Sequence, residues 1–148
     1  MARIDYYAIE TEIKTILDAD STLTGTLITV EDELLFGAER TPWVGVFLER
    51  RDAGDQSLSS GQRTRYNLRF SIWCWEYSLE SISKAIQLRD DLLGKVEVAL
   101  MGNRTLNGKV STSWLEGGDL PSARVPESNG FVSGGEIILI ADVTATTG

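Results

Sequence analysis

The sequence predicts an α+β fold, in which helices pack on one face of a mainly antiparallel β-sheet. Three observations predict it. Two segments carry apolar residues at helical spacing, two others alternate as strands do, and an apolar strand closes the chain at 136–146. Neither an internal repeat nor a linker interrupts the 148 residues, so we expect residues 1–148 to form a single domain.

Two amphipathic helices are predicted. The first covers residues 4–19, where the apolar positions are Ile9, Ile13, Ile16 and Leu17. The second runs from Leu79 to Met101, with Ser78 as its N-cap and Gly102 as its terminator. Its apolar face consists of Leu79, Ile82, Ala85, Ile86, Leu93, Val96 and Leu100. Because each helix has one apolar face, we expect both to cover the same sheet.

A long polar segment separates the two strongest strand predictions. Trp43–Arg51 is the first strand, and Pro42 before it is tolerated because a strand entrance needs no ladder donor. Asp52–Arg63 are rich in Gly, Ser, Asp and Gln, which predicts a loop longer than most hairpin connections. The second strand is Arg65–Ser78. We therefore expect two well-formed strands joined by a long polar loop.

The strand Arg65–Ser78 has two different faces. One face is an apolar stripe made of Tyr66, Leu68, Phe70, Ile72 and Cys74. The opposite face carries Asn67, Arg69, Ser71, Trp73 and Trp75. This second face is polar until it reaches the tryptophans, so we expect it to be solvated at one end and covered at the other. An apolar patch that meets another molecule is predicted from Trp43, Trp73 and Trp75.

Three shorter signals complete the predicted sheet. Leu27–Val30 has weak strand character. Asn107 and Gly108 lie between strand-like segments, which is the strongest short signal for a tight hairpin. Glu136–Thr146 contains the apolar run "IILI", which is typical of a central strand that is covered on both faces.

Cys74 raises the question of catalysis, because the chain's only cysteine lies between two tryptophans. A thiol nucleophile needs a base, usually His, and this chain has no His. Without His, a Ser-His-Asp catalytic triad is excluded, and a zinc site would have at most one soft ligand. A cysteine on an apolar stripe is also expected to be buried and unreactive. We therefore predict that Cys74 is a core residue and that the protein is not an enzyme.

The sequence also predicts neither a metal nor a cofactor. Asp52 and Asp55 in "DAGD" are candidate calcium ligands, but their spacing lacks the further oxygen ligands of an EF-hand. The "SGG" at 133–135 enters a strand rather than a helix, so it is not a phosphate loop. The acidic clusters at 31–33 and 89–91 are predicted to be solvated faces. Two-carboxylate hydrolysis stays open, because the sequence does not give the separation of acidic side chains.

The charge balance bears on the partners. With 14 Lys and Arg against 22 Asp and Glu, the net charge is −8, which disfavours sequence-specific binding to nucleic acid. Such acidity either keeps the protein soluble or suits a surface past which DNA must slide without adhering. No apolar run approaches the ~18 residues that span a bilayer, and the first ten residues do not read as a signal peptide. We expect neither membrane insertion nor export.

The order of elements resembles a known family. The helix with its "LDADSTLTG" exit is followed by "TPWVGVFLE", by the polar loop, by "RFSIWCWEYS" running into a helix, and by "GGEIILIADVT". Over nearly the whole chain, this order is similar to the tail terminator (tail completion) proteins of long-tailed bacteriophages. The resemblance rests on the order and local character of the elements, not on an invariant motif.

The resemblance implies a structural protein of the virion, assembled in the host bacterial cytoplasm. Such proteins form a homo-hexameric ring at the head-proximal end of the tail tube. The ring ends tube polymerisation and offers an attachment surface to a head-side neck or connector protein, while DNA passes through its lumen. The implied partners are therefore other copies of the chain, the tail tube protein and a neck protein, with no sequence-specific binding of DNA.

The polar loop is the predicted contact with the tube or with a neighbouring subunit. Its length, its polarity and its place between two strands motivate this hypothesis. The charged residues assigned to the contact are Arg50, Arg51, Asp52, Asp55, Arg63 and Arg65. Three alternatives stay open: a hairpin tip without a partner, another neck component such as a connector or stopper, and a carboxylate-dependent hydrolase.

Overall fold

The computed structural model describes residues 3–32, 42–53, 63–125 and 130–146. They form two α-helices, α1 (Tyr6–Asp18) and α2 (Ile82–Met101), and a short 3-10 helix at Ser21–Leu23. The six strands are β1 (Leu27–Val30), β2 (Trp43–Ala53), β3 (Arg63–Ser78), β4 (Thr112–Glu116), β5 (Ser122–Val125) and β6 (Gly130–Thr146). Both helices pack on one face of one mostly antiparallel sheet, so the predicted α+β class is confirmed.

The sheet has the strand order β1-β2-β3-β6-β4, and β5 pairs with β6 as well. β1 runs parallel to β2, whereas all other pairs are antiparallel. β3 and β6 pair without interruption from Arg63 opposite Thr146 to Ser78 opposite Phe131. At the usual rise per residue, the 16 residues of β3 span about 50 Å. This ribbon forms the middle of the sheet, and β6 is the central strand that the closing apolar run predicts.

Side chains cap the amino ends of both helices. The Asp5 carboxylate accepts a hydrogen bond from the Ala8 N–H at 3.0 Å, and Ser81 Oγ accepts one from the Lys84 N–H at 3.0 Å. The predicted start of α2 at Leu79 with Ser78 as its cap is therefore wrong. Ser78 still pairs with β6, so the chain turns over the next residues before the helix begins.

The core lies between the helices and the sheet. Ile13 and Leu17 of α1 and Val96 and Leu100 of α2 are buried there against the sheet. The apolar stripe of β3 is buried as predicted, with Leu68, Phe70, Ile72 and Cys74 at 0% exposure. On α2 the prediction is partly wrong: Leu79 and Ile82 are exposed, whereas Arg89 and Leu92 are buried.

The hairpin predicted at Asn107 and Gly108 is wrong. These residues lie in the turns that follow α2, and the next strand begins only at Thr112. The Asn107 N–H donates to the Asn103 side chain at 2.9 Å, and Leu106, at φ 50°, is fully buried. Because Leu106 is buried in the core, this segment packs against the core. Asn107 and Gly108 therefore form part of a loop and not the turn of a hairpin.

The strands beside the polar loop are longer than predicted. β2 continues through Asp52 to Ala53, and β3 already begins at Arg63. Asp52 and Arg63 were predicted as loop residues, but Asp52 pairs with Asn67 and Arg63 pairs with Thr146. The weak strand signal at Leu27–Val30 is confirmed as β1. In the described part of the chain, neither helix is both long and apolar enough to cross a membrane.

Candidate functional site

The face of the sheet that points away from the helices carries the tryptophans, and we call it the tryptophan face. Trp43 of β2 is opposite Trp75 of β3, and the rings of Trp73 and Trp75 stack with their centroids 5.6 Å apart. The Trp43 indole N–H donates to Thr29 Oγ1 at 2.8 Å. Trp43 is only 1% and Trp75 only 6% exposed, so the chain itself covers these two rings. The apolar contact with another molecule stays a prediction, and of the three rings only Trp73 is half-buried.

Glycines on the neighbouring strands make room for these rings. Gly134 of β6 is opposite Trp75, and a Cβ atom at this position would lie 2.4 Å from the indole ring. Gly45 of β2 is opposite Trp73, and a Cβ atom there would meet the Phe47 ring at 2.9 Å and the Trp43 ring at 3.5 Å. The Trp75 ring therefore lies against strand backbone where another residue would place a side chain. The pairing of tryptophans in one strand with glycines in the next is a signal that sequence reasoning missed.

Ion pairs occupy the other end of the tryptophan face. Arg65 binds Asp142 through two hydrogen bonds of 2.8 Å, from Nε to Oδ1 and from one Nη to Oδ2. Arg50 Nε lies 2.8 Å from Asp52 Oδ1, and Arg69 Nε lies 3.1 Å from a carboxylate oxygen of Glu49. The tryptophans are covered, and the ion-paired side chains other than Asp142 are solvated, so the predicted polarity of this face is confirmed.

Arg51 points to the other face of the sheet, toward the helices. Its guanidinium lies over the rings of Tyr6 and Tyr66, 5.4 Å and 5.6 Å from their centroids. Its Nη1 donates to the Tyr6 hydroxyl at 3.1 Å, and this hydrogen bond raises the pKa of Arg51. Arg51 therefore ties the end of β2 to the start of α1.

The predicted contact residues thus divide into two groups. Arg50, Asp52 and Arg65 lie on the tryptophan face, whereas Arg51 lies on the helix face. Arg63 belongs to β3 through its backbone pairing with Thr146. Asp55 lies outside the described residues. The described side chains among them have partners within the chain, and these contacts hold the strand ends on either side of residues 54–62.

A pair of acids, of which one is buried, was missed by sequence reasoning. Glu10 of α1 is 4% exposed, and its carboxyl group hydrogen-bonds the Glu31 side chain. Burial, which is the largest cause, acts together with the hydrogen bond and the negative charge of Glu31 to raise the pKa of Glu10 to about 8. Glu31 Oε1 also accepts a hydrogen bond from the Leu48 N–H at 2.8 Å. At neutral pH the Glu10 carboxyl group therefore retains a proton, at the contact between α1 and the chain after β1.

This pair bears on two predictions. Glu31 belongs to the acidic cluster predicted to be a solvated face, and it is exposed, although its carboxylate also accepts a hydrogen bond from the Leu48 N–H. The signal was available, because Glu10 lies three residues before the buried Ile13 and so falls on the apolar side of α1. For hydrolysis, carboxyl groups must flank a substrate bond across several ångströms, whereas these two touch.

Two surface cavities lie near α2. The first, about 320 Å³, lies between the end of α2 and β4 and is lined by Leu100, Met101, Arg104, Ser113, Trp114 and Leu115. The second, about 440 Å³, is more acidic and is lined by Asp20, Thr22, Asp90, Asp91, Gly94, Lys95 and Val98. Neither cavity includes the acid pair. Across the described residues, no three His, Cys, Asp or Glu side chains are grouped to hold a metal ion.

The lone thiol lies in the core and faces the helices. Cys74 is 0% exposed, and burial raises its pKa, with Glu97 and Glu76 adding to the shift. A thiol that keeps its proton is a poor nucleophile. The prediction that Cys74 is a core residue is confirmed.

Comparisons with known proteins show a likeness in structure but not in sequence. No family model matches the chain, and no curated protein matches its sequence. A chain of a solved structure described as "Virion of native gene transfer agent (GTA) particle" is similar at 13% sequence identity and a TM-score of 0.38. The alignment covers 90% of this chain and 93% of that chain. Residue roles do not carry over at this identity, so those given above rest on contacts within the chain itself.

Proposed function

We propose that the chain is a structural subunit of a bacteriophage virion, and specifically a tail terminator. Copies of it form a homo-hexameric ring at the head-proximal end of the tail tube. The ring ends tube polymerisation and offers an attachment surface to the head-side neck or connector protein. The observation that carries this proposal is the long β3–β6 ribbon in a sheet with helices on one face only.

This architecture suits assembly better than catalysis. The ribbon spans about 50 Å, and its continuous pairing makes it stiff along its length. β1 lies at one margin of the described sheet, and β4 and β5 lie at the other. Strands at a margin can accept a neighbouring chain, and a closed ring leaves neither margin exposed to further addition. The buried thiol and the lack of His in the sequence leave assembly as the function of the fold.

The segment 54–62 is the proposed contact with the tube or with a neighbouring subunit. It joins the ends of β2 and β3, and an ion pair between Glu49 and Arg69 connects these two strands. Arg65 is fixed by Asp142, and Arg51 is fixed by Tyr6. These residues and Arg63 therefore position the contact, while Asp55 and its neighbours make it.

The acidic surplus is proposed to face the lumen. A net charge of −8 opposes adhesion of DNA, which carries one negative charge per phosphate. DNA would then pass through the ring without sequence-specific binding. The virion is accordingly the proposed location of the protein.

Native mass measurement with and without purified tail tubes tests the ring. We expect a hexamer and an arrest of tube lengthening when the protein is added. A wild-type protein that stays monomeric and leaves tube lengthening unchanged would refute the function. Binding to DNA-filled heads but not to tubes would instead assign the chain to a connector or stopper.

A loop variant of unchanged length tests the contact. Deleting the loop would pull on residues that pair with β6, so we replace Asp55, Gln56 and Leu58 by Ser instead. We expect the fold and the ring to persist while tail capping is lost. The matched control replaces Asp119 and the exposed Leu120 by Ser, on a segment outside the contact. Normal capping by the loop variant would show that the contact lies elsewhere.

A further inference from the structure

We infer that neighbouring copies meet end to end through α2, so that Leu79 and Glu80 of one copy enter the cavity beside Met101, Arg104 and Trp114 of the next. The inference rests on the proposed ring and names the surface that closes it. It is carried by two surfaces of one chain that are both apolar and carry opposite charges but lie at opposite ends of α2.

The receiving surface is an apolar cavity with one cation at its margin. Met101 is 63% and Trp114 is 39% exposed, which is unusual for large apolar side chains that line the same 320 Å³ cavity. Arg104 Nε donates to the Ser113 carbonyl at 3.0 Å, and Ser113 Oγ donates back to the Arg104 carbonyl at 2.8 Å. These bonds fix the arginine, while its two Nη groups have no partner within the described part of the chain.

The entering surface is a short turn with a fixed shape. Leu79 is 69% exposed, and the adjoining Glu80 carboxylate makes no ion pair or hydrogen bond with any described residue. The Glu80 N–H donates to Ser78 Oγ at 3.1 Å, which holds the turn between β3 and α2. Ile82 adds a further exposed apolar side chain at 37%. The turn therefore presents an apolar side chain beside a carboxylate.

The two surfaces complement each other. The leucine matches the apolar wall formed by Met101 and Trp114, and the carboxylate matches the guanidinium whose Nη groups are unpaired. α2 has 20 residues, so about 30 Å separates its ends and one copy cannot bring the two surfaces together. Contact between unlike patches repeats from copy to copy and closes a ring when the rotation permits. The cavity is thus incomplete without the neighbouring subunit.

Reversed charges test the pairing. We expect Glu80→Arg and Arg104→Glu each to weaken ring formation by about tenfold or more, measured as the ring fraction in native mass spectra, because each places like charges together. Combining both changes restores the attraction and should recover most of the ring. Thermal unfolding of each variant checks the fold. Leu79→Asp gives an independent disruption at a site so exposed that folding is unaffected, and Asp119→Arg is the control that should leave the ring intact.

A disulfide trap locates the contact directly. In a chain carrying both Leu79→Cys and Met101→Cys, oxidation should give a ladder of linked copies that ends in a closed ring. Each single variant alone should show no ladder, and the buried Cys74 does not compete. If rings still form in the Glu80→Arg, Arg104→Glu and Leu79→Asp variants, and if oxidation gives no ladder of linked copies, this inference is wrong. The proposed ring function would not be affected by that result. Variant rings that assemble but fail to bind tubes also overturn it, since the cavity would then face the tube. A wild-type monomer under all conditions overturns both proposals.

Discussion

The two faces of the sheet bury their side chains by different means. On the helix face, residues such as Phe70 and Leu139 are covered by side chains from α1 and α2. On the tryptophan face, Trp43 and Trp75 are buried within the sheet's own apolar cluster, and Gly134 leaves space for the Trp75 ring. The difference shows that burial on one face requires helices, whereas on the other it requires strand positions without a side chain.

The largest expected effect comes from truncating the helix face. Phe70→Ala removes a fully buried ring and should lower the free energy of unfolding by about 3–5 kcal/mol, because the cavity has no way to fill completely. Phe47 of the tryptophan face is only half-buried, so Phe47→Ala should cost about half as much or less. Urea denaturation measures both, and equal losses would remove the distinction between the faces.

Substitutions of two adjacent glycines in β6, Gly134 and Gly135, allow the two faces of the sheet to be compared. Gly134→Ala should lower the free energy of unfolding by about 1–3 kcal/mol, because its Cβ meets the rigid Trp75 ring at 2.4 Å. Gly135→Ala points to the helix face, where its Cβ meets the end of the flexible Leu93 side chain at 2.5 Å. Leu93 can rotate away, so the second variant should be the milder one in thermal and urea unfolding. The reverse order would show that Trp75 has freedom to move.

The helix side also buries charged residues such as Arg89 and Glu10, and the carboxyl group of Glu10 makes stability depend on pH. Between the ordinary pKa of 4.5 and about 8, folded Glu10 retains a proton that the unfolded chain has released. Raising the pH through this interval therefore lowers the free energy of unfolding, by an amount on the order of 1–3 kcal/mol. Urea denaturation at pH 5 and pH 8 measures the loss.

Glu10→Gln should flatten that pH dependence, because the amide does not ionise. No histidine titrates in the same interval. Burial also raises the pKa of Glu76, so Glu76→Gln is the control that removes its smaller contribution. If the Glu10→Gln protein keeps the wild-type pH dependence, the Glu10 carboxyl group is not the source of that dependence.

The smallest effect is expected at Gly94, on the solvent side of α2. A Cβ there would meet no atom within 4 Å, so alanine fits without strain. Gly94→Ala should raise the free energy of unfolding by about 0.5–1 kcal/mol, because alanine is the better helix former. A rise in the melting temperature would confirm it, and a fall would mean that the second cavity needs the glycine.

The features that repeat with a regular period were predictable from the sequence. The alternation of Tyr66 to Cys74 identified the buried face of β3, and the spacing of Ile9 to Leu17 identified α1. Features set by the pairing of distant segments were not predictable. The start of α2 depends on how far β3 pairs with β6, and the loop at Asn107 depends on where Leu106 finds the core.

The candidate sites follow the same rule. The ion pair between Arg65 and Asp142 joins strands that are far apart in the chain, so neither residue indicates the other in the sequence. The cavity beside Trp114 likewise exists only because β4 returns to the end of α2.

The accessibility of the Cys74 thiol to a reagent can report on unfolding of the protein. The chain has one thiol, which lies on β3 between its two partner strands β2 and β6 and is fully shielded from water. A thiol reagent added to the native protein can react only when the sheet separates, so the labelling rate counts the molecules that open. In a ring, each subunit would carry one such thiol. A decrease in the rate of thiol labelling after assembly would measure how much a neighbouring subunit stabilises the fold.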